Sequence, residues 1–251
     1  MIVQALKKRI LPPILCATVL VGSASALADS YVVGVENVDY YPLYTSSGSS
    51  YSGFGHDVLD AFADASGHQL SYKPLPVARL TAEFLEGNTD LKFPDNPNWA
   101  AGAKQGKGVV YSDPVQSYVD GTMVLPENKG RGVEAINSLG IVRGFTPWDY
   151  KGLIDQGKVK LQEVSNLASL IKMARGGRVD GIYFNVDVAR HALEEDLGAP
   201  GALVFDPQLP KTRSTYHLST IQNPEVIEEF NEFLETNADA LEAIRQKYGL
   251  D

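Results

Sequence analysis

Cysteine is nearly absent: Cys16 is the one thiol in 251 residues. It lies in an N-terminal segment that reads as a removable leader, and without it no disulfide, thiol nucleophile or thiolate metal site can form. Histidine is scarce and scattered. His56, His68, His191 and His217 show no paired spacing for a metal. No Gly-x-Ser-x-Gly elbow supports a hydrolase, and "GFGHDV" has Val58 where a dinucleotide fingerprint needs its third glycine. These absences point to a chain with no metal, no cofactor and no catalytic set. Long apolar runs are missing too. The stretch from Ile14 to Val21 is too short to cross a bilayer, and Pro12 and Pro13 break the run just before it.

Basic charge is in short supply, and part of it sits at the start. Lys7, Lys8 and Arg9 precede an apolar segment that thins into Ala26-Leu27-Ala28, the pattern of a secretory signal with a small-x-small cleavage site. Residues 1–28 are expected to be removed on export to the periplasm, with processing after Ala26 the rival. Cys16 could also carry a lipid, but Pro13-Ile14-Leu15 before it lacks the small residues that such processing prefers, which favours free export. Losing the leader takes 22 basic residues to 19 against 31 acidic ones, a net charge of −12. Such a surface repels nucleic acid and anionic lipid, and its plain role is solubility. The remaining 223 residues suffice for one large core or two modest lobes.

What is present is periodic. "DVLDAFADAS" puts Val58, Leu59, Phe62 and Ala65 on one helical stripe with Asp57, Asp60 and Asp64 opposite, and Gly67 closes it. "SYKPLPVARLTAEFLEGNTDLKF" reads as strand, helix and strand, with Val77, Leu80, Thr81 and Phe84 inward and Gly87 as terminator. Ninety residues later "SNLASLIKMARGGRVDGIYFNV" repeats the plan. Val77 matches Leu167, Leu80 matches Leu170, Gly87 matches Gly177 and Asp90 matches Asp180. One match is chance; four at one offset predict two α/β lobes built on the same βαβ unit. Ligands bind beyond the carboxyl ends of such parallel strands. The offset sets Asp95, in "PDNPNW", opposite Asn185, each just past a strand end. "LGIV" opens the second unit and runs into "RGFTPW", where Gly144 and Thr146 precede a helix expected from Pro147. "YSDPVQSYVDGTMVLPENKG" carries the chain out and "KTRSTYHLSTIQNPE" brings it back, so two crossings form a hinge. Asn223-Pro224 then caps a helix with Val226, Ile227, Phe230, Phe233 and Leu234 inward, and a last helix is expected over 239–248.

With these residues in view the sequence resembles the bacterial extracellular solute-binding proteins of family 3, the amino-acid-type periplasmic binding proteins. The likeness covers nearly all of residues 30–249: Tyr41-Pro42, "GFGHDVLDAFADASG", the turn from Gly87 to Asp90, "YSDPV", "RGFTP", "GGRVDGIYFNVDVA" and a closing "KYG". It implies a two-lobed fold of the type II periplasmic binding class, each lobe a βαβ-type sheet flanked by helices. Lobe 1 would take residues 29–117 and 214–251, and lobe 2 residues 118–213. It further implies a monomer that captures a small polar solute, amino-acid-like, polyamine or other, for an inner-membrane ABC permease or a sensor. Relatives usually hold the ligand carboxylate with an arginine in a Thr-x-x-Arg segment and its amine with an aspartate. Here "PDNPNW" replaces the first and Asn185 stands in place of the second. A standard α-amino acid is therefore doubtful, since no arginine fork or buried aspartate stands ready for its two charges. Arg79, Arg143 or Arg213 could substitute as the anion partner, with Arg143 favoured beside the Gly-Phe-Thr turn.

The expected ligand-binding residues are thus Tyr41, Arg79, Asp95, Asn96, Trp99, Arg143, Gly144, Thr146 and Asn185. Trp99 could stack on a sugar face, an aromatic ring or a cation, or pack on its own lobe. Asp95 and Asn96 could touch ligand or serve turn chemistry beside proline. Asp90 and Asp180 begin strands, remote from the crevice, and read as turn caps. A few relatives on this fold are dehydratases, which needs a cleft acid or base; Asp95 and His217 are the residues of that kind. No second catalytic partner stands near either, so a non-catalytic binder is the expectation.

Overall fold

The protein, described here as a computed structural model, is defined for residues 29–250 except Ser49. The expected leader and its Cys16 lie outside the described residues. The chain begins with β1 (Ser30–Glu36), a small three-stranded sheet of β2 (Asp39–Tyr40), β3 (Tyr44–Ser47) and β4 (Ser50–Ser52), and helix α1 (Phe54–Ser66). A unit of β5 (Gln69–Leu75), α2 (Val77–Leu85) and β6 (Leu91–Asp95) follows, then α3 (Ala101–Lys104), β7 (Val110–Tyr111) and the long β8 (Gln116–Val124). The second unit has β9 (Ser138–Val142), α4 (Lys151–Asp155), β10 (Lys160–Val164), α5 (Leu167–Arg175), β11 (Gly181–Asn185) and α6 (Val186–His191). After β12 (Val204–Phe205), the long β13 (Lys211–Thr220) returns, and α7 (Pro224–Thr236) and α8 (Ala238–Lys247) close the chain.

Strand order exposes the duplication. The main path runs β10-β9-β11-β8-β13-β6-β1-β5. At one end β5, β1 and β6 are parallel and β13 joins β6 antiparallel; at the other β10, β9 and β11 are parallel and β8 joins β11 antiparallel. Between the halves β8 and β13 pair with each other from Lys211↔Gly121 to Tyr216↔Gln116. Residues 117, 118, 213 and 214, where the crossings were expected, all fall inside that ladder. The architecture is the two-lobed fold of type II periplasmic binding proteins, with two strands as crossings.

The ninety-residue echo is physical. Helices α2 and α5 each have nine residues, starting at Val77 and Leu167. Leu80 and Leu170 are both fully buried. Gly87 and Gly177 both take left-handed φ, 78° and 65°, which a Cβ would oppose. Asp90 accepts the Val32 N–H at 2.7 Å, and Asp180 accepts the N–H groups of Asn137 and Ser138 at 2.9 and 2.8 Å. Each aspartate thereby ties the start of its strand to the neighbouring strand. β6 and β11 are buried along their whole length, as parallel strands covered on both faces must be.

Some local expectations shift. In α1, Phe54, Val58, Leu59 and Phe62 face the core, whereas Ala65 is exposed because the helix has turned past the sheet by its last turn. Pro94 and Asp95 belong to β6 itself, so the loop begins at Asn96. Pro94 has no N–H to give the ladder, and it lies where the β13 register shifts between His217 and Ser219. No helix starts at Pro147; a 3₁₀ turn over Trp148–Tyr150 intervenes before α4. The terminal helix spans Ala238–Lys247. Among the described residues no helix is long and apolar enough to cross a membrane.

Candidate functional site

The two parallel units aim their strand ends at each other, and a cavity of ≈ 310 Å³ lies between them. Glu36 reaches it from the end of β1, Tyr40 and Tyr44 from the small sheet, and Val77, Ala78 and Thr81 from the first turns of α2. Lys92 comes from β6, Asp120 from β8 and Tyr216 from β13. The second unit adds Gly144, Phe145, Thr146 and Trp148 after β9, with Tyr183 and Phe184 on β11. Trp99 and Ala100 close the side after β6. Gly144 has φ 94°, and a Cβ there would stand 3.5 Å from Val77 Cβ, so the two units approach across the cavity at this point.

Eight of the seventeen residues lining the cavity are aromatic. Tyr40 and Tyr44 stack at 5.0 Å, and Tyr40 meets Phe184 at the same distance. Phe145 stacks on Phe184 at 5.7 Å. Opposite them Tyr118 and Tyr216 stack at 4.4 Å, and Trp99 packs on Tyr216 at 5.9 Å. Trp99 packs on neighbouring rings and borders the cavity.

Two carboxylates break the apolar wall. Tyr44 donates to Glu36 Oε2 at 2.6 Å, and burial pushes the Glu36 carboxyl above its usual range despite that bond and the nearby Lys92. The Asp120 carboxyl is raised to about 7: burial is the largest cause, the Glu36 charge adds to it, and a hydrogen bond from Asn185 opposes it. Asp120 Oδ1 is sealed from solvent without a hydrogen-bond partner among the described residues. The indole Nε1 of Trp148 is in the same state. Buried polar atoms are rarely left single, because each costs roughly 1–3 kcal/mol. Asp120 and Trp148 both line the cavity.

The structure distributes the sequence-predicted residues unevenly. Trp99, Gly144 and Thr146 line the cavity; Tyr41, Arg79, Asp95, Asn96, Arg143 and Asn185 do not. Asp95 is fully buried below it, where Oδ1 accepts from Lys92 at 2.7 Å and Lys104 at 2.6 Å, and Oδ2 accepts from Ser219 at 2.7 Å. Burial alone would raise its pKa, but Lys92 and Lys104 outweigh this and hold it below the usual range. Asn96 donates to Ser214 Oγ and to the Thr215 carbonyl at 2.8 and 2.9 Å, tying the loop after β6 to β13. Asn185 caps α6, accepting from Asp187 N and Val188 N, and bonds Asp120. It thus supports a cavity carboxylate from behind. Arg143 and Arg79 point to solvent, with side chains 74% and 65% exposed, and pair with Glu163 and Glu83. Arg213 is exposed as well. Tyr41 packs on His191 at 4.7 Å, away from the cavity. His217 is occupied by Ser112 O and Thr215 Oγ1.

Sequence reasoning missed Glu36, Lys92, Asp120 and most of the rings. One signal was available: Glu36 ends β1, an apolar alternating strand, at the carboxyl edge where ligands sit. Asp120 had none, because it is mid-strand in a crossing that pairs with Asn185 and Thr212, far away in the sequence. Among the described residues no group of three or more His, Cys, Asp or Glu side chains is arranged to hold a metal.

No family model and no curated protein matches the sequence. Solved structures do match the fold. An ancestral arginine-binding protein bound to arginine aligns at TM-score 0.70 and 19% identity, over 87% of this chain and 97% of that one. An arginine 3rd transport system periplasmic binding protein from Legionella pneumophila aligns at 0.69 and 14%, over 88% and 100%. An ancestral amino-acid-binding protein, a precursor of cyclohexadienyl dehydratase, aligns at 0.66 and 17%, over 87% and 95%. At these identities the likeness carries the fold and leaves the ligand to this chain's own side chains.

Proposed function

We propose that this protein is a periplasmic solute-binding protein that captures a small polar solute between its two lobes and presents it to an inner-membrane ABC permease. The observation that carries the reading is the cavity at the facing strand ends, bordered by unsatisfied polar atoms and bridged by two crossing strands. Lobe 1 is residues 29–117 and 214–251, and lobe 2 residues 118–213. Ligand contacts made by both lobes at once favour the closed form, so occupancy shifts the open and closed populations. The leader pattern and the transport proteins named among the fold's relatives support the periplasm as location, and the protein acts as a monomer. A sensor in place of the permease would read the same closure.

A second reading, an enzyme on this fold, gains one observation. Asp120 beside Glu36 is a cleft carboxyl pushed to about 7, suited to giving or taking a proton near neutral pH. Asp95 and His217, the earlier candidates, are held by the scaffold. Binding is the better reading because Asp120 needs only a counter-charge to complete it, while Glu36 already has Tyr44 and Lys92.

The test is a thermal-shift screen of the purified protein against amines, amino acids, sugars and organic acids, followed by calorimetry and overnight recovery of the best ligand. A raised melting temperature with the ligand returned unchanged supports the binder. Consumption of the ligand supports the enzyme, and no shift with any class removes the solute-binding reading.

A further inference from the structure

We infer that the cavity selects an organic amine in its cationic form, bearing a neutral hydrogen-bond acceptor such as a hydroxyl and no carboxylate that the protein grips. The inference rests on the solute-binding reading above and names the chemical class of its ligand.

Charge accounting is the first support. Among the described residues Lys92 is the one basic side chain bordering the cavity, and it is 2.7 Å from Asp95, which Lys104 also contacts. Those three groups sum to +1, which the neighbouring Glu36 offsets. Asp120 is then left as the unbalanced charge. A cation entering beside Asp120 neutralises the set; a ligand carboxylate would face Glu36 and Asp120 with no arginine to hold it. The three arginines considered for an anion, Arg79, Arg143 and Arg213, are all exposed to solvent.

Hydrogen-bond accounting is the second support, and it stands independently. Asp120 Oδ1 is an acceptor without a donor, which an ammonium N–H completes. Trp148 Nε1 is a donor without an acceptor, which a hydroxyl or carbonyl oxygen completes. The lining also includes the aromatic faces of Tyr40, Trp99, Phe184 and Tyr216, whose negative quadrupole favours a cation.

A protonation signature follows. The titratable and charged groups facing Asp120 are Glu36 from β1, Tyr40 from β2, Tyr118 on β8 itself, Tyr183 from β11 and Tyr216 from β13, with Asn185 the neutral donor. Burial and Glu36 keep Asp120 protonated in part near neutral pH. A bound ammonium favours the carboxylate, so amine binding expels a proton and tightens as pH rises from 5.5 to 7.5.

The experiment is calorimetry on the purified protein with matched probes. Ethanolamine, 4-aminobutanol and tyramine supply an amine without a carboxylate; 4-aminobutyrate, arginine and glutamine carry both groups; 4-hydroxybutyrate carries the acid alone; choline carries the charge without an N–H. The expected result is binding by at least one amine probe about tenfold or more tighter than every carboxylate-bearing probe. Titration at pH 6 in two buffers of different ionisation enthalpy should report proton release. Asp120→Asn should weaken that probe about 30-fold or more, with near-UV circular dichroism preserved, while Arg143→Ala binds as the parent does. Choline binding as tightly as ethanolamine would assign recognition to charge and rings and overturn the hydrogen bond to Asp120. Tighter binding of an amino acid or of the acid overturns the inference and leaves the solute-binding reading standing. Failure of every probe here to bind overturns the inference, and the solute-binding reading falls with it only if the wider thermal-shift screen, sugars included, also shows no shift.

Discussion

Replacing Asp120 by asparagine should stabilise the unliganded protein, and by an amount that depends on pH. The folded protein raises this carboxyl from 3.8 to about 7. Between those values the folded state holds a proton that the unfolded chain releases, so stability falls as pH rises through the window. Below about pH 4 both states are protonated and the group costs nothing. Above about pH 7 the folded protein must keep a buried carboxylate whose Oδ1 has no donor. At 1.36 kcal/mol per pH unit, the full shift corresponds to about 4 kcal/mol. Part of it is shared with Glu36, so the expected change is about 2–4 kcal/mol. Asparagine has nearly the same shape and no proton to lose, hence no such slope. Urea unfolding of both proteins at pH 4, 5, 6, 7 and 8 isolates the residue, because every other titrating group outside its immediate neighbours cancels in the difference. The variant's advantage should grow by about 2–4 kcal/mol from pH 4 to pH 8. A difference that stays flat within about 0.5 kcal/mol would refute the claim that Asp120 is an uncompensated buried charge.

Asp95→Asn should do the opposite, costing about 3–5 kcal/mol at neutral pH because Lys92 and Lys104 lose their shared counter-charge. Since the Asp95 pKa is lowered on folding, its contribution is present above about pH 4 and is lost as pH falls further, so the parent and variant unfolding curves should converge in acid. Leu80→Ala, at a fully buried position of α2, should lower urea stability by about 2–5 kcal/mol. Arg79→Ala and Arg143→Ala should each change stability by no more than about 0.5 kcal/mol and leave affinity for the best solute unchanged, because both side chains end in solvent.

The duplicated scaffold was legible in the sequence because its cause is local. Apolar spacing fixes which faces of α2 and α5 are buried, and glycine at 87 and 177 ends each helix where only a left-handed residue will do. Strand polarity follows, and with it the edge where a ligand must sit. Even the departures at Asp95 and Asn185 were visible, since the offset puts both at strand ends. What each does there was not. Asp95 could touch a solute or bury beneath it; two lysines, one three residues away and one nine, draw it inward.

The chemistry of the cavity was decided by tertiary structure alone. Asp120 is one aspartate among many in the sequence, in a strand with no distinguishing pattern. Pairing β8 with β11 and β13 brings it against Asn185 and close to Glu36, residues 65 and more positions distant, and only that meeting leaves one oxygen dry and unpaired. Periodicity reports what a residue does to its own helix or strand. Desolvation and charge balance depend on which strands end up side by side, which the sequence encodes through the whole fold at once.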